Sequence, residues 1–164
     1  MTEKSRQARN AVRLQEIYHT VRPKFAAVLK DLEGHGLRPR IQEAWRSPAD
    51  QLKAFKSGHS KLKYGYHNVT WPDGSPAALA ADILDDDHPL NPPTKFLLML
   101  CASANAHGLG TGITWGLPKT LKFAIGAAIV SKTWDANVKT GWDPTHVETL
   151  GISVAEAKAG KRPK

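Results

Sequence analysis

A single cysteine, Cys101, is all the thiol this 164-residue chain has, so no internal disulfide can form and a thiolate-rich metal site is excluded. It sits in the apolar run from Phe96 to Ala102, where a free cysteine packs as a small buried hydrophobe. No apolar stretch approaches the roughly 20 residues that a bilayer-crossing helix needs, so membrane insertion is not expected. Met1 to Asn10 is polar and charged, without a hydrophobic core segment. The sequence therefore predicts synthesis in a cytoplasm without a signal peptide, and any action outside the cell needs another exit route. Internal repeats are missing, as is any linker that would divide two domains. RNA-type aromatic motifs and zinc-finger spacings are absent too.

What is present is an excess of positive charge. Lys plus Arg outnumber Asp plus Glu by 23 to 15, for a net charge of +8 and a pI near 9.7. Such a surface attracts polyanions, whether nucleic acid, acidic lipid or an anionic cell wall, and charge alone does not choose among them. An apolar fraction of 41% and a mean hydropathy of -0.40 suit a globular chain with one core.

Leu14, Ile17, Tyr18 and Val21 recur at helical spacing and predict a helix over about Ala8 to Thr20. Pro23 opens a second helix to about Glu33, with Phe25, Val28, Leu29 and Leu32 inward and Gly34 and Gly36 as its stop. Arg40 to Arg46 alternates like a strand entering the core. Ser47-Pro48 then caps a short helix to Gly58. His59 to Pro76 reads as loop. Ala78 to Leu84 is a short buried strand carrying one carboxylate, and Asp85-Asp86-Asp87 is expected to be its solvated end. A helix from about Pro93 to His107 ends in the glycine-rich Gly108 to Gly112, and a further helical stretch covers Pro118 to Lys132. Trp142 to Leu150 turns into a last strand, and Val154 to Lys164 reads as a basic tail. The fold class is α+β: one small domain over residues 1–164, with a central antiparallel sheet flanked by helices and a zinc site in a cleft at the sheet.

The chemistry concentrates in His67, Asp82 and the segment Asp143-Pro-Thr-His146. Two imidazoles and a carboxylate can close three corners of a zinc tetrahedron. The open fourth corner marks a catalytic rather than a structural site. Asp82 lies inside Leu79-Ala-Ala-Asp-Ile-Leu84, where an ionised carboxylate must be paired or metal-bound. An ion pair with an arginine is the competing explanation. His67 alone would be an ordinary loop histidine; its company gives it weight. In a strand, His146 and Glu148 share a face, so Glu148 can hold the far ring nitrogen of His146 or orient a substrate amine. Asp143 is placed as general base, against the plainer role of an Asp-Pro turn. Arg46 is a candidate for stabilising an oxyanion, or else a surface arginine. Gln51, one turn into the next helix, could donate to substrate. Trp45, Trp71, Trp115 and Trp142 are read mostly as core, with Trp115 a candidate to line a cleft.

Taken in order, Trp45-Arg46-Ser47 with Gln51 and Gly58, then His67, Ala80-x-Asp82 and Asp143-x-x-His146-x-Glu148 resemble the zinc DD- and LD-peptidases of the VanY and D-alanyl-D-alanine carboxypeptidase superfamily. Within that superfamily the likeness is closest to phage endolysins that act as L-alanyl-D-glutamate peptidases, and it runs from about Gln42 to Leu150. It implies a zinc cofactor held by His67, Asp82 and His146, with Asp143 as catalytic base and Arg46 polarising the scissile carbonyl. It also implies a monomeric peptidase with its catalytic core over about residues 40–150. Its partner would be the peptidoglycan stem peptide, reached after holin-dependent release from the cytoplasm. One departure stands out: many relatives keep the first histidine and the aspartate much closer together, whereas here Asn68 to Ala81 intervenes with a turn at Trp71-Pro-Asp-Gly-Ser-Pro76.

Two other readings stay open on sequence. A D-Ala-D-Ala carboxypeptidase or dipeptidase would use the same centre with a receptor for a free carboxylate. From another class, a basic nucleic-acid-binding protein or metal nuclease fits the lysines, although a nuclease usually clusters carboxylates and only Asp85 to Asp87 does so. Nucleic acid is not the expected partner.

Overall fold

The computed structural model describes all residues from Met1 to Lys164. Helix α1 spans Glu3–Gln15, started by the Thr2 hydroxyl, which accepts from the Ser5 amide at 3.2 Å. It begins and ends earlier than the apolar spacing predicts. Ile17, Tyr18 and Val21 are buried in the connection that follows, where Ile17 forms an isolated bridge to Ala78. Helix α2, Arg22–Gly34, carries proline in its first turn and buries Phe25, Val28, Leu29 and Leu32, as expected.

Strand β1 is Pro39–Glu43, followed by α3, Pro48–Lys56, capped by the Ser47 hydroxyl. A one-turn 3-10 helix at Tyr66–Asn68 lies inside the segment read as loop. Then come β2, Ala80–Asp85, and α4, Thr94–Ala106. The glycine-rich stretch after α4 is more than a helix stop, since Leu109–Gly112 forms strand β3. Helix α5 covers Lys119–Val130, β4 covers Asp143–Thr149 and a short α6 covers Val154–Lys158. The four strands form one sheet in the order β1-β2-β4-β3, and every neighbouring pair is antiparallel.

One face of this sheet supplies Ile41, Leu79, Ala81, Ile83, Leu109 and Val147 to a core completed by α2 and α4. The period of two along a strand then sends Asp82, His146 and Glu148 to the other face. Two irregularities adjust that alternation. Register shifts between Ile41 and Glu43 in β1, so that Glu43 stands opposite Asp82. It shifts again between Thr111 and Gly112 in β3, so that Gly112 meets Asp143.

Three sequence expectations need correction. Asp85 and Asp86 are buried rather than solvated. Arg38 and Arg40 reach Asp86 at 3.1 and 3.3 Å, and His88 and the Asp87 amide each bond to Asp85 at 3.1 Å, so local partners stabilise carboxylates that the sequence placed in water. Residues 154–164 do not trail as a tail: α6 opens with a Ser153–Glu156 capping box, Arg162 donates to the Thr70 carbonyl, and Thr20 donates to the Pro163 carbonyl at 3.1 Å. Trp142 is not core but 70% exposed. No helix is long and apolar enough to cross a membrane.

Candidate metal centre

Asp82 and His146 are direct partners across β2 and β4, which puts their side chains on one face within reach of each other. His67 arrives from the 3-10 turn, which is tied to both flanks. The Leu79 amide donates to Tyr66 at 3.0 Å, and the Arg46 amide donates to the His67 carbonyl at 3.0 Å. Asn68 is buried and clamps the same turn, accepting from the Gly65 amide at 2.7 Å and donating to the Arg46 carbonyl at 2.9 Å. An apparent loop histidine is thus held firmly.

Three ligand-type atoms converge as a result. His67 Nε2 lies 3.2 Å from His146 Nδ1, His146 Nδ1 lies 3.2 Å from Asp82 Oδ1, and His67 Nε2 lies 3.4 Å from Asp82 Oδ1. A tetrahedral ion with bonds of about 2.0–2.1 Å holds its ligand atoms about 3.3–3.4 Å apart. The triangle therefore has the right edges for one face of such a tetrahedron.

The far nitrogens of both rings are already engaged. His67 Nδ1 donates to the Ala44 carbonyl at 2.7 Å, and His146 Nε2 donates to Glu148 Oε2 at 3.0 Å. With those protons fixed, the lone pairs of His67 Nε2 and His146 Nδ1 point at each other and at a carboxylate. Such an arrangement needs a cation between them, either a proton or a metal. The donor set, two nitrogens and one oxygen without sulfur, fits zinc.

The electrostatics agree. Burial disfavours a charged His146, yet hydrogen bonds to Asp82 and Glu148 and their charges outweigh it, raising the imidazole to about 9. Burial likewise opposes ionisation of Asp82, but hydrogen bonds from His146 and His67 hold its carboxyl well below the usual range. Asp143 is pushed the other way: burial raises its pKa, and the Asp82 charge adds to this against the opposing pull of His146 and His67. Two aspartates on neighbouring strands are thus driven apart in proton affinity, Asp82 downward and Asp143 upward.

Other candidates take clear positions. Arg46 Nε donates to Glu43 at 3.1 Å, and its second terminal nitrogen pairs with the same carboxylate. Gln51 accepts from Arg46 Nη1 at 2.9 Å and donates to Ser60 at 2.8 Å and to the Leu62 carbonyl. Its buried amide is spent on positioning Arg46. The Trp115 ring packs 5.0 Å from that of His146, and Trp142 lies 5.1 Å beyond Trp115. The Trp71–Pro76 turn closes on itself through a Thr70–Pro76 bridge and rests on Tyr18 and His19 at 5.0 and 5.6 Å between rings. Sequence reasoning passed over Glu43 and the Ala44 carbonyl. Glu43 becomes relevant only through the bulge that sets it opposite Asp82. A backbone carbonyl leaves no mark in a residue pattern.

These features define an α+β domain with a candidate His–Asp–His metal centre on one sheet face. No family model matches the chain, and no curated protein matches it. Among solved structures it is similar to the L-Ala D-Glu endopeptidase ChiX of Serratia marcescens, with a TM-score of 0.54, 16% identity and coverage of 87% of each chain. At that identity the likeness establishes a shared fold.

Proposed function

We propose that the chain is a single-domain zinc peptidase that hydrolyses the L-alanyl-D-glutamate bond of the peptidoglycan stem peptide, serving as a phage or prophage endolysin. The observation that carries the reading is the spacing of His67 Nε2, His146 Nδ1 and Asp82 Oδ1 at 3.2 to 3.4 Å, with both outer ring nitrogens already bonded. The solved structure of similar fold is an L-Ala D-Glu endopeptidase, which supports this choice of bond. The positive surface suits an anionic wall.

His67, Asp82 and His146 would hold the ion, which supplies Lewis acidity toward the scissile carbonyl and toward water. Asp143, with its raised proton affinity, takes a proton from the attacking water and returns it to the departing amine. Glu148 and the Ala44 carbonyl fix the ring tautomers. Arg46, held by Glu43 and Gln51, stabilises charge on the carbonyl oxygen, and Trp115 walls the centre beside His146.

The test couples elemental analysis of the purified chain to mass spectrometry of digested peptidoglycan. Stoichiometric zinc and new peptides beginning at D-glutamate are expected. Release of free D-alanine would instead mark a carboxypeptidase. A chain without bound metal that leaves peptidoglycan intact would overturn the reading.

A further inference from the structure

Helix α5 lacks the fully buried apolar face of α2 and α4. Its inner side buries only Ile125 and Ala128, while Phe123 is 78% and Val130 85% exposed. Phe123, Ala127 and Val130 follow i, i+4, i+7 spacing and form one outward stripe with Gly126 beside it, both small residues being exposed. Isolated exposed hydrophobics need no explanation, but an aligned stripe does. Exposed lysines frame it: Lys119 and Lys122 in the first turn and Lys132 just past the last. None of the three is ion-paired, since the one lysine salt bridge in the molecule is Lys161–Glu156. Between Asp87 and Asp143 the only acidic residue is Asp135, against Lys95, Lys119, Lys122, Lys132 and Lys139.

We infer that α5 is a membrane-surface element that lays Phe123, Ala127 and Val130 into the interface of an anionic phospholipid bilayer, with Lys119, Lys122 and Lys132 on the headgroups. The combination of charge and apolarity selects this partner. A nucleic acid or a wall polyanion would satisfy the lysines but leave the stripe in water. A second copy of the chain would satisfy the stripe but set lysine against lysine. A standard protein interface also takes about 20–30 residues a side, far more than this face offers. At 12 residues the helix rises about 18 Å, short of the roughly 30 Å hydrocarbon layer, so it lies in the interface plane rather than across it. This inference stands independently of the peptidase reading.

The test is co-sedimentation of the full chain with vesicles of phosphatidylglycerol and phosphatidylcholine, beside vesicles of phosphatidylcholine alone. The wild type is expected to pellet with the anionic vesicles only. F123S/V130S, altered at exposed positions and checked for fold by circular dichroism, keeps every charge and should lose about tenfold or more in partitioning. Neutralising Lys119 and Lys122 to glutamine should cost about fivefold for each lysine. Unchanged pelleting of F123S/V130S would reduce the effect to bulk charge and overturn the inference. So would equal pelleting with both vesicle types, no pelleting at all, or self-association by size-exclusion chromatography that F123S/V130S abolishes.

Discussion

His146 uses both nitrogens of its ring, with Glu148 on one and Asp82 with His67 on the other. Those two carboxylates favour the protonated ring over the neutral one. The raised pKa has a definite sign: the stabilisation is fully present below the unfolded value of 6.5 and is lost as pH rises through about 9. The melting temperature of metal-free protein should therefore fall between those pH values, and His146→Gln should flatten the slope. A profile identical in the variant would show that this ring is not the titrating group. The same proton competes with metal, so affinity for zinc should weaken as pH drops below about 9. In the proposed mechanism Asp143 contributes through its proton rather than through ligation. Asp143→Asn should keep zinc and fold while losing roughly 100-fold to 10,000-fold in turnover. Full activity in that variant would remove it as the base. That Asp143, His146 and Glu148 share one strand was readable from their spacing. The role of Gln51 was not, because its partners Ser60 and Leu62 lie beyond a helix end.

Strand β3 and β4 approach so closely that glycine is required at their crossing. A Cβ on Gly112 would sit 2.1 Å from the Asp143 carbonyl oxygen, and one on Gly141 would sit 2.5 Å from that of Trp115. These contacts accompany the packing of Trp115 beside His146 and fix the backbone of Asp143 at the start of β4. Gly126, in the exposed face of α5, has nothing within 4 Å of such a Cβ. The same substitution should thus have opposite effects. Gly112→Ala is expected to cost about 1–3 kcal/mol and to impair activity by displacing Asp143, while Gly126→Ala is expected to add about 0.5–1 kcal/mol by helix propensity. Chemical denaturation of the two variants checks both, and a stable, active Gly112→Ala protein would mean that β3 yields without consequence. The helices α2, α3 and α4 were legible from their periodicity and caps. Strand β3 was not, because Leu-Gly-Thr-Gly has little strand preference of its own and is held by pairing with β4.

Residues 67, 82 and 146 come together only in the folded chain, so an ion bound there joins the 3-10 turn, β2 and β4. Binding that exists only in the native state adds to its stability, by about 2.7 kcal/mol at a metal concentration 100-fold above Kd. For a domain of this size that corresponds to roughly 5–10 °C. Chelation should lower the melting temperature by that amount and re-addition of zinc should restore it. An unchanged midpoint would mean that the three side chains do not hold metal in the native fold. The whole-molecule class, helices around an antiparallel sheet, followed from the alternation of periodic segments. The burial of Asp85 and Asp86 did not, because Arg38 and Arg40 reach Asp86 across strands that no local pattern pairs. By itself, the order of residues determined which stretches are helical, which apolar faces turn inward and which side chains have metal-ligand chemistry, since these are properties of spacing over a few residues. Tertiary structure alone decided the register of β1 and β3, the clamp that turns His67 toward His146 and the 3.2 to 3.4 Å triangle. Those depend on contacts between segments far apart in the chain, and a bulge of one residue is enough to turn a side chain to the opposite face.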